Sequence, residues 1–81
     1  MNQLGRLAAK REHTVLEMIL NNNGKIRYQE LVDEICILMP KHIINTTIED
    51  LVTYEYIYEE ASIIPENMKI IITAKGKLAM I

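Results

Sequence analysis

Apolar side chains recur at Leu4, Leu7, Ala8, Val15, Leu16, Ile19 and Leu20, the three- and four-residue spacing that lines one helix face. Arg6, Lys10, Glu12, His13 and Glu17 fall largely off that stripe. The run Asn21–Asn22–Asn23–Gly24 closes it, because Asn and Gly tolerate the left-handed backbone of a helix end. The spacing predicts a first helix over about 3–22. Lys25–Ile26–Arg27–Tyr28 is long enough only for a bridge-like strand. Leu31, Val32, Ile35 and Leu38 make a second helical stripe, and Pro40 stops it near Leu38 or Met39.

A third helix has two possible starts. Pro40 can be its first residue. Alternatively Thr46 caps it, since Thr46 and Glu49 have the spacing of a capping box. The second start is favoured, because Ile48, Leu51 and Val52 then point inward, and it gives a short helix over about 46–55. Met39–Asn45 becomes the preceding turn.

From Tyr54 the period changes to two: Tyr56, Tyr58 and Glu60 alternate with Ile57, Glu59 and Ala61, which is strand spacing. Pro65, Glu66 and Asn67 mark a turn, and the β-branched run Lys69–Ile70–Ile71–Ile72–Thr73 is a second strand. A hairpin over 56–73 follows, then a short terminal helix or tail over 74–81. The fold class is α+β, mainly helical with a small sheet, in one domain.

Charge changes the picture. The net of −2 hides a segregation. Residues 1–27 have a net charge of +3, residues 28–66 of −8 with Lys41 as their one cation, and residues 67–81 of +3. Basic ends flank an acidic middle. One cysteine, Cys36, excludes an internal disulfide and a cysteine-based metal cluster. Its place between Ile35 and Ile37 reads as a buried structural thiol. No apolar run approaches the roughly 20 residues that span a bilayer, and the first residues lack the apolar block of a secretory signal. The expected setting is soluble and cytoplasmic.

The order helix, strand, helix, helix, hairpin, short helix resembles the winged helix-turn-helix. The likeness is also local. "GKIRYQELVDEI" resembles the stretch that joins helices one and two in that family. "IEDLVTYEYIYEE" resembles the recognition helix running into the wing, with Glu55 where the family often has Gly. "IITAKGKLAMI" resembles the "ITxKG" that closes the wing. The likeness covers roughly residues 14–81 and is nearest to small archaeal or archaeal-virus regulators and the PadR-like and MarR-like kinds.

That resemblance implies a DNA-binding transcription regulator with helix three in the major groove. On the matching positions, Thr46, Thr47, Asp50, Thr53 and Tyr54 point outward, and Lys41, His42 and Asn45 precede them. Lys41 and His42 suit phosphate, while Asn45 and the threonine hydroxyls suit base edges. Thr46 and Asn45 also have a plain use as caps. Glu49 and Asp50 oppose phosphate, and only a contact to cytosine N4 suits a carboxylate there; Glu49 is excused if it completes the capping box, Asp50 is not, and an ordinary solvated face is the plainer reading. Arg6, Lys10, Arg11, Lys25 and Arg27 form a candidate phosphate patch, equally readable as solvated surface. The wing tip is apolar and acidic, with Lys69 its nearest cation.

Leu4, Leu7 and Ala8 exceed what the core needs and suggest a homodimer contact. Tyr54, Tyr56 and Tyr58 can stack on bases, although a partly buried wing strand with its rings covering the core is the favoured reading. His13 and His42 sit on different elements and no catalytic or phosphate-loop motif appears, so neither enzyme activity nor a cofactor is expected. Two functions remain open. One is a double-stranded DNA binder. The other is a protein-interaction module that docks through the acidic middle and the Ile63–Ile64 wing tip.

Overall fold

The computed structural model describes residues 9–80. The expected contacts of Leu4, Arg6, Leu7 and Ala8 lie outside the described residues. Four helices and three strands follow one another: α1 (Lys10–Asn21), β1 (Lys25–Arg27), α2 (Tyr28–Ile35), α3 (Lys41–Thr53), β2 (Ile57–Glu60), β3 (Lys69–Ile72) and α4 (Ala74–Leu78), with a 3₁₀ turn at Pro65–Asn67 between β2 and β3. The sheet is antiparallel in the order β1-β3-β2.

The first helix begins later than its stripe suggests. Ala9 is extended (φ −66°, ψ 165°) and caps α1, its N–H donating to Glu12 Oε1 at 2.9 Å. A helix running unbroken from about residue 3 is therefore corrected. Glu12, expected off the apolar stripe, is buried at this cap. The other end is as expected. Asn23 is left-handed (φ 64°), and the amides of Asn23 and Gly24 return to Leu20 O and Ile19 O, the paired bonds of a Schellman motif.

The middle of the chain departs further. Helix α2 stops at Ile35, and the amides of Leu38 and Met39 both turn back to Ile35 O. The backbone before Pro40 cannot stay helical, so Leu38, expected inward, is exposed. Cys36 is exposed as well, not buried. Helix α3 starts at Lys41 with Pro40 as its cap. The carbonyl of Pro40 accepts from Ile43 and Ile44. This longer helix adds Ile44 to the stripe of Ile48 and Leu51, so one more large side chain is buried than from a start at Thr46. Thr46 caps nothing. It sits mid-helix and donates to His42 O, since the capping-box spacing also occurs inside helices. Thr47, expected outward, is fully buried and donates to Ile43 O. Val52, expected inward, lies at the exposed edge.

Glu55 holds the place where the resembled family often has Gly, and its backbone is left-handed (φ 63°). The amides of Glu55 and Tyr56 bond Val52 O and Leu51 O, a second Schellman motif. Tyr56 then turns inward and is buried, while Tyr54 is partly exposed and Tyr58 about half exposed. The core joins Val15, Leu16 and Ile19 of α1 to Leu31 and Ile35 of α2 and Ile44 and Leu51 of α3. Ile26, Ile57, Ile70 and Ile72 close it from the inner face of the sheet.

The "ITxKG" stretch has a packing reason. Thr73 Oγ1 accepts the Gly76 amide at 3.0 Å and donates to Glu55 O at 2.7 Å. It thereby caps α4 and ties it to the end of α3. Gly76 is buried against Tyr56 O, where a Cβ would approach to 2.2 Å.

Candidate nucleic-acid interface

Helix α3 buries Ile44, Thr47, Ile48 and Leu51. At 100° per residue its opposite face is therefore His42, Thr46, Glu49 and Thr53, and all four are exposed. Lys41, Asn45 and Val52 run along one edge of that face; Ile43 and Asp50 run along the other.

Each edge is tied to a cationic segment. On the Asp50 side, Arg11 Nη2 lies 3.3 Å from Asp50 Oδ2. A groove of about 390 Å³ there is lined by Lys10, Arg11, Thr14, Leu38, Met39 and Ile43. On the Asn45 side, Tyr28 Oη donates to Asn45 Oδ1 at 2.6 Å. The Tyr28 amide donates to Met68 O at 2.7 Å, which anchors the wing to the start of α2. Next to it Arg27 pairs in register with Lys69 across β1 and β3, and Arg27 Nη1 reaches Asn67 Oδ1 at 3.5 Å. Arg27 and Lys69 with Ser62, Asn67, Ala61 and Glu60 line a second groove of about 400 Å³.

The expected single patch of Arg6, Lys10, Arg11, Lys25 and Arg27 is thus divided. Helix α1, of 12 residues, separates its ends by about 18 Å. Lys10 and Arg11 stay beside α3. Lys25 and Arg27 lie instead on the solvent face of the sheet with Lys69, Tyr58 and Glu60. Arg6 lies outside the described residues. Several cations already have carboxylate neighbours: Arg11 with Asp50, Lys25 with Glu60 at 3.7 Å, and Arg27 with Glu30 at 3.3 Å. These pairs are about half exposed, so each is worth little and exchanges readily for phosphate.

Asp50, a problem in the sequence, is thereby accounted for: it sits at the helix edge beside Arg11. Glu49 is not so placed; it lies at the centre of the face. The contribution of Tyr28 and Asn67 escaped the sequence because it depends on partners 17 and 40 residues away along the chain.

At the wing tip Ile63 is wholly exposed and Ile64 about half exposed. Among the described residues no His, Cys, Asp and Glu side chains cluster to hold a metal. No described helix is long and apolar enough to cross a membrane.

Three helices on a β1-β3-β2 sheet, with α3 leading into the hairpin, define the winged-helix fold, in the α+β class. Among solved structures the chain is similar to "F93 from STIV, a winged-helix DNA-binding protein". The TM-score is 0.75 at 18% identity, over 86% of this chain and 78% of that one. No family model matches the chain. No curated protein matches it either.

Proposed function

We propose that this protein binds double-stranded DNA by seating α3 in the major groove, and that it does so as a homodimeric transcription regulator. The observation that carries this reading is the flanking of the α3 outward face. Arg11 and Lys10 stand at one edge; at the other, Asn45 is held by Tyr28, whose chain neighbour Arg27 pairs in register with Lys69 on the sheet. A major groove is about 12 Å wide with a phosphate strand on each side, so a polar helix face tied at each edge to a cationic segment matches it. Lys41 and His42 in the first turn of α3 add positive or hydrogen-bonding character at its leading end. The winged-helix DNA-binding protein of similar fold supports the same reading.

The test is binding to mixed-sequence duplex DNA across a salt series. Contacts to three or four phosphates give a slope of log K on log salt of about −3 to −4. Arg11→Glu, Lys41→Glu and Lys69→Glu should each weaken binding to every duplex sequence alike. Absence of binding at about 50 mM salt overturns the proposal. The dimer rests on the apolar Leu4, Leu7 and Ala8; Leu4→Lys with Leu7→Lys should yield a monomer by light scattering.

A second reading draws on the wing. Ile63 is fully exposed at a tip that lacks any cation, next to the acidic middle of the chain. Such a tip suits a protein partner better than phosphate. Ile63→Asp leaves duplex affinity unchanged under the first reading's geometry and abolishes partner capture under the second.

A further inference from the structure

Glu49 occupies the centre of the α3 outward face, where a carboxylate repels phosphate and weakens every DNA contact that does not use it. The two threonines that flank it along that face share one property. Thr46 Oγ1 spends its hydrogen on His42 O at 2.9 Å, and Thr53 Oγ1 spends its own on Glu49 O at 2.9 Å. With their donors committed to the backbone four residues earlier, both hydroxyls present lone pairs outward. A carboxylate presents lone pairs only. The Thr46, Glu49 and Thr53 stretch is therefore a row of hydrogen-bond acceptors. Asn45, at the edge, has the opposite polarity. Its Oδ1 accepts from Tyr28, so its amide hydrogens face outward.

Acceptors need donors, and the major groove offers only two kinds: the N4 amino group of cytosine and the N6 amino group of adenine. A carboxylate separates them. Adenine carries the N7 lone pair beside its amino group, which repels an anion. Cytosine carries no acceptor on its own groove edge. Resting on the DNA-binding reading above, we infer that Glu49 is the specificity-determining residue of α3. It selects a cytosine near the middle of the site by accepting from N4–H, and it suppresses binding to sites without that cytosine. The flanking threonines accept from amino groups of adjacent bases.

The experiment is selection of binding sites from a randomised duplex pool, with affinities then measured on the selected site and on single-pair variants of it. Wild type, Glu49→Gln, Glu49→Ala and, as a control for lost charge alone, Glu34→Gln are compared. Glu34 is exposed on α2 rather than on α3. The expected result is one position held as C·G by wild type and by Glu34→Gln, with about tenfold discrimination, the range of a good base contact. Both Glu49 variants lose that preference and bind unrelated duplexes several-fold tighter than Glu34→Gln does. Selected sites and preferences identical in wild type and both Glu49 variants overturn the inference while leaving DNA binding intact. Failure of all four proteins to bind any duplex overturns the DNA-binding reading and this inference with it. A thermal melt of each variant confirms that the fold is retained.

Discussion

Adding a single methyl group at Gly76 tests the packing of the wing against the last helix. The Cβ of an alanine there would stand 2.2 Å from Tyr56 O and 3.0 Å from both Tyr56 C and Ile72 Cγ1. Carbon and oxygen approach comfortably to about 3.3 Å, so the two backbones must part by about 1 Å. Tyr56 O also accepts the Thr73 amide at 3.0 Å, and the same displacement breaks that bond. Overpacking of this kind costs about 1–3 kcal/mol, and a buried amide left without its acceptor costs about 1–3 kcal/mol. Alanine regains about 1 kcal/mol through its better helix propensity. The net loss expected for Gly76→Ala is about 1–5 kcal/mol, out of a total of about 4–12 kcal/mol for a chain of 81 residues. In a urea titration this appears as a lower midpoint at unchanged slope. In a thermal scan it lowers Tm by roughly 4–40 °C. Gly24→Ala is the comparison. Gly24 has φ +84°, but its added Cβ meets only Ile72 Cγ2, at 3.4 Å, so the cost there is the left-handed backbone alone, about 1–2 kcal/mol. If Gly76→Ala lies within about 0.5 kcal/mol of wild type, or destabilises less than Gly24→Ala, the close approach does not hold.

Three further outcomes follow from the same geometry. Glu55→Gly should stabilise the fold by up to about 1 kcal/mol, because glycine removes the cost of φ 63° at the Schellman position while losing chain entropy; a urea titration at fixed pH reads it. The Glu55–Lys75 pair at 4.0 Å is too exposed to oppose this gain. Thr73→Val should cost about 1–2 kcal/mol, since one hydroxyl both caps α4 and reaches Glu55 O, and Thr73→Ser should recover most of it. Tyr28→Phe should leave the melting temperature within a few degrees of wild type, yet weaken duplex binding several-fold by freeing Asn45 to rotate; fluorescence anisotropy on a selected duplex measures it.

Periodicity alone determined the order of elements in this protein. The stripes of α1 and α2, the switch from period 3.6 to period 2 after α3, and the β-branched run of β3 are local signals, and local signals are written in consecutive residues. The Asn23–Gly24 stop belongs to the same class. At Glu55 the sequence shows only a departure from the glycine of the family it resembles, and the left-handed backbone shows why glycine suits the position. Tertiary structure decided the rest. The start of α3 at Pro40 rather than Thr46 was decided by the burial of Ile44 in the core, which outweighs a capping-box spacing. The inward turn of Thr47 and the exposure of Leu38 and Cys36 follow from that start and from where α2 ends. Charge was legible as a count but not as a map. Arg11 meets Asp50 39 residues away, Lys25 and Arg27 join Lys69 across strand pairs, and Asn45 is aimed by Tyr28. These long-range pairings have no signature in sequence, because the chain must fold before the partners meet. They gather the cations of a net acidic domain into two groups, one beside α3 with Arg11 and one on the sheet with Arg27 and Lys69.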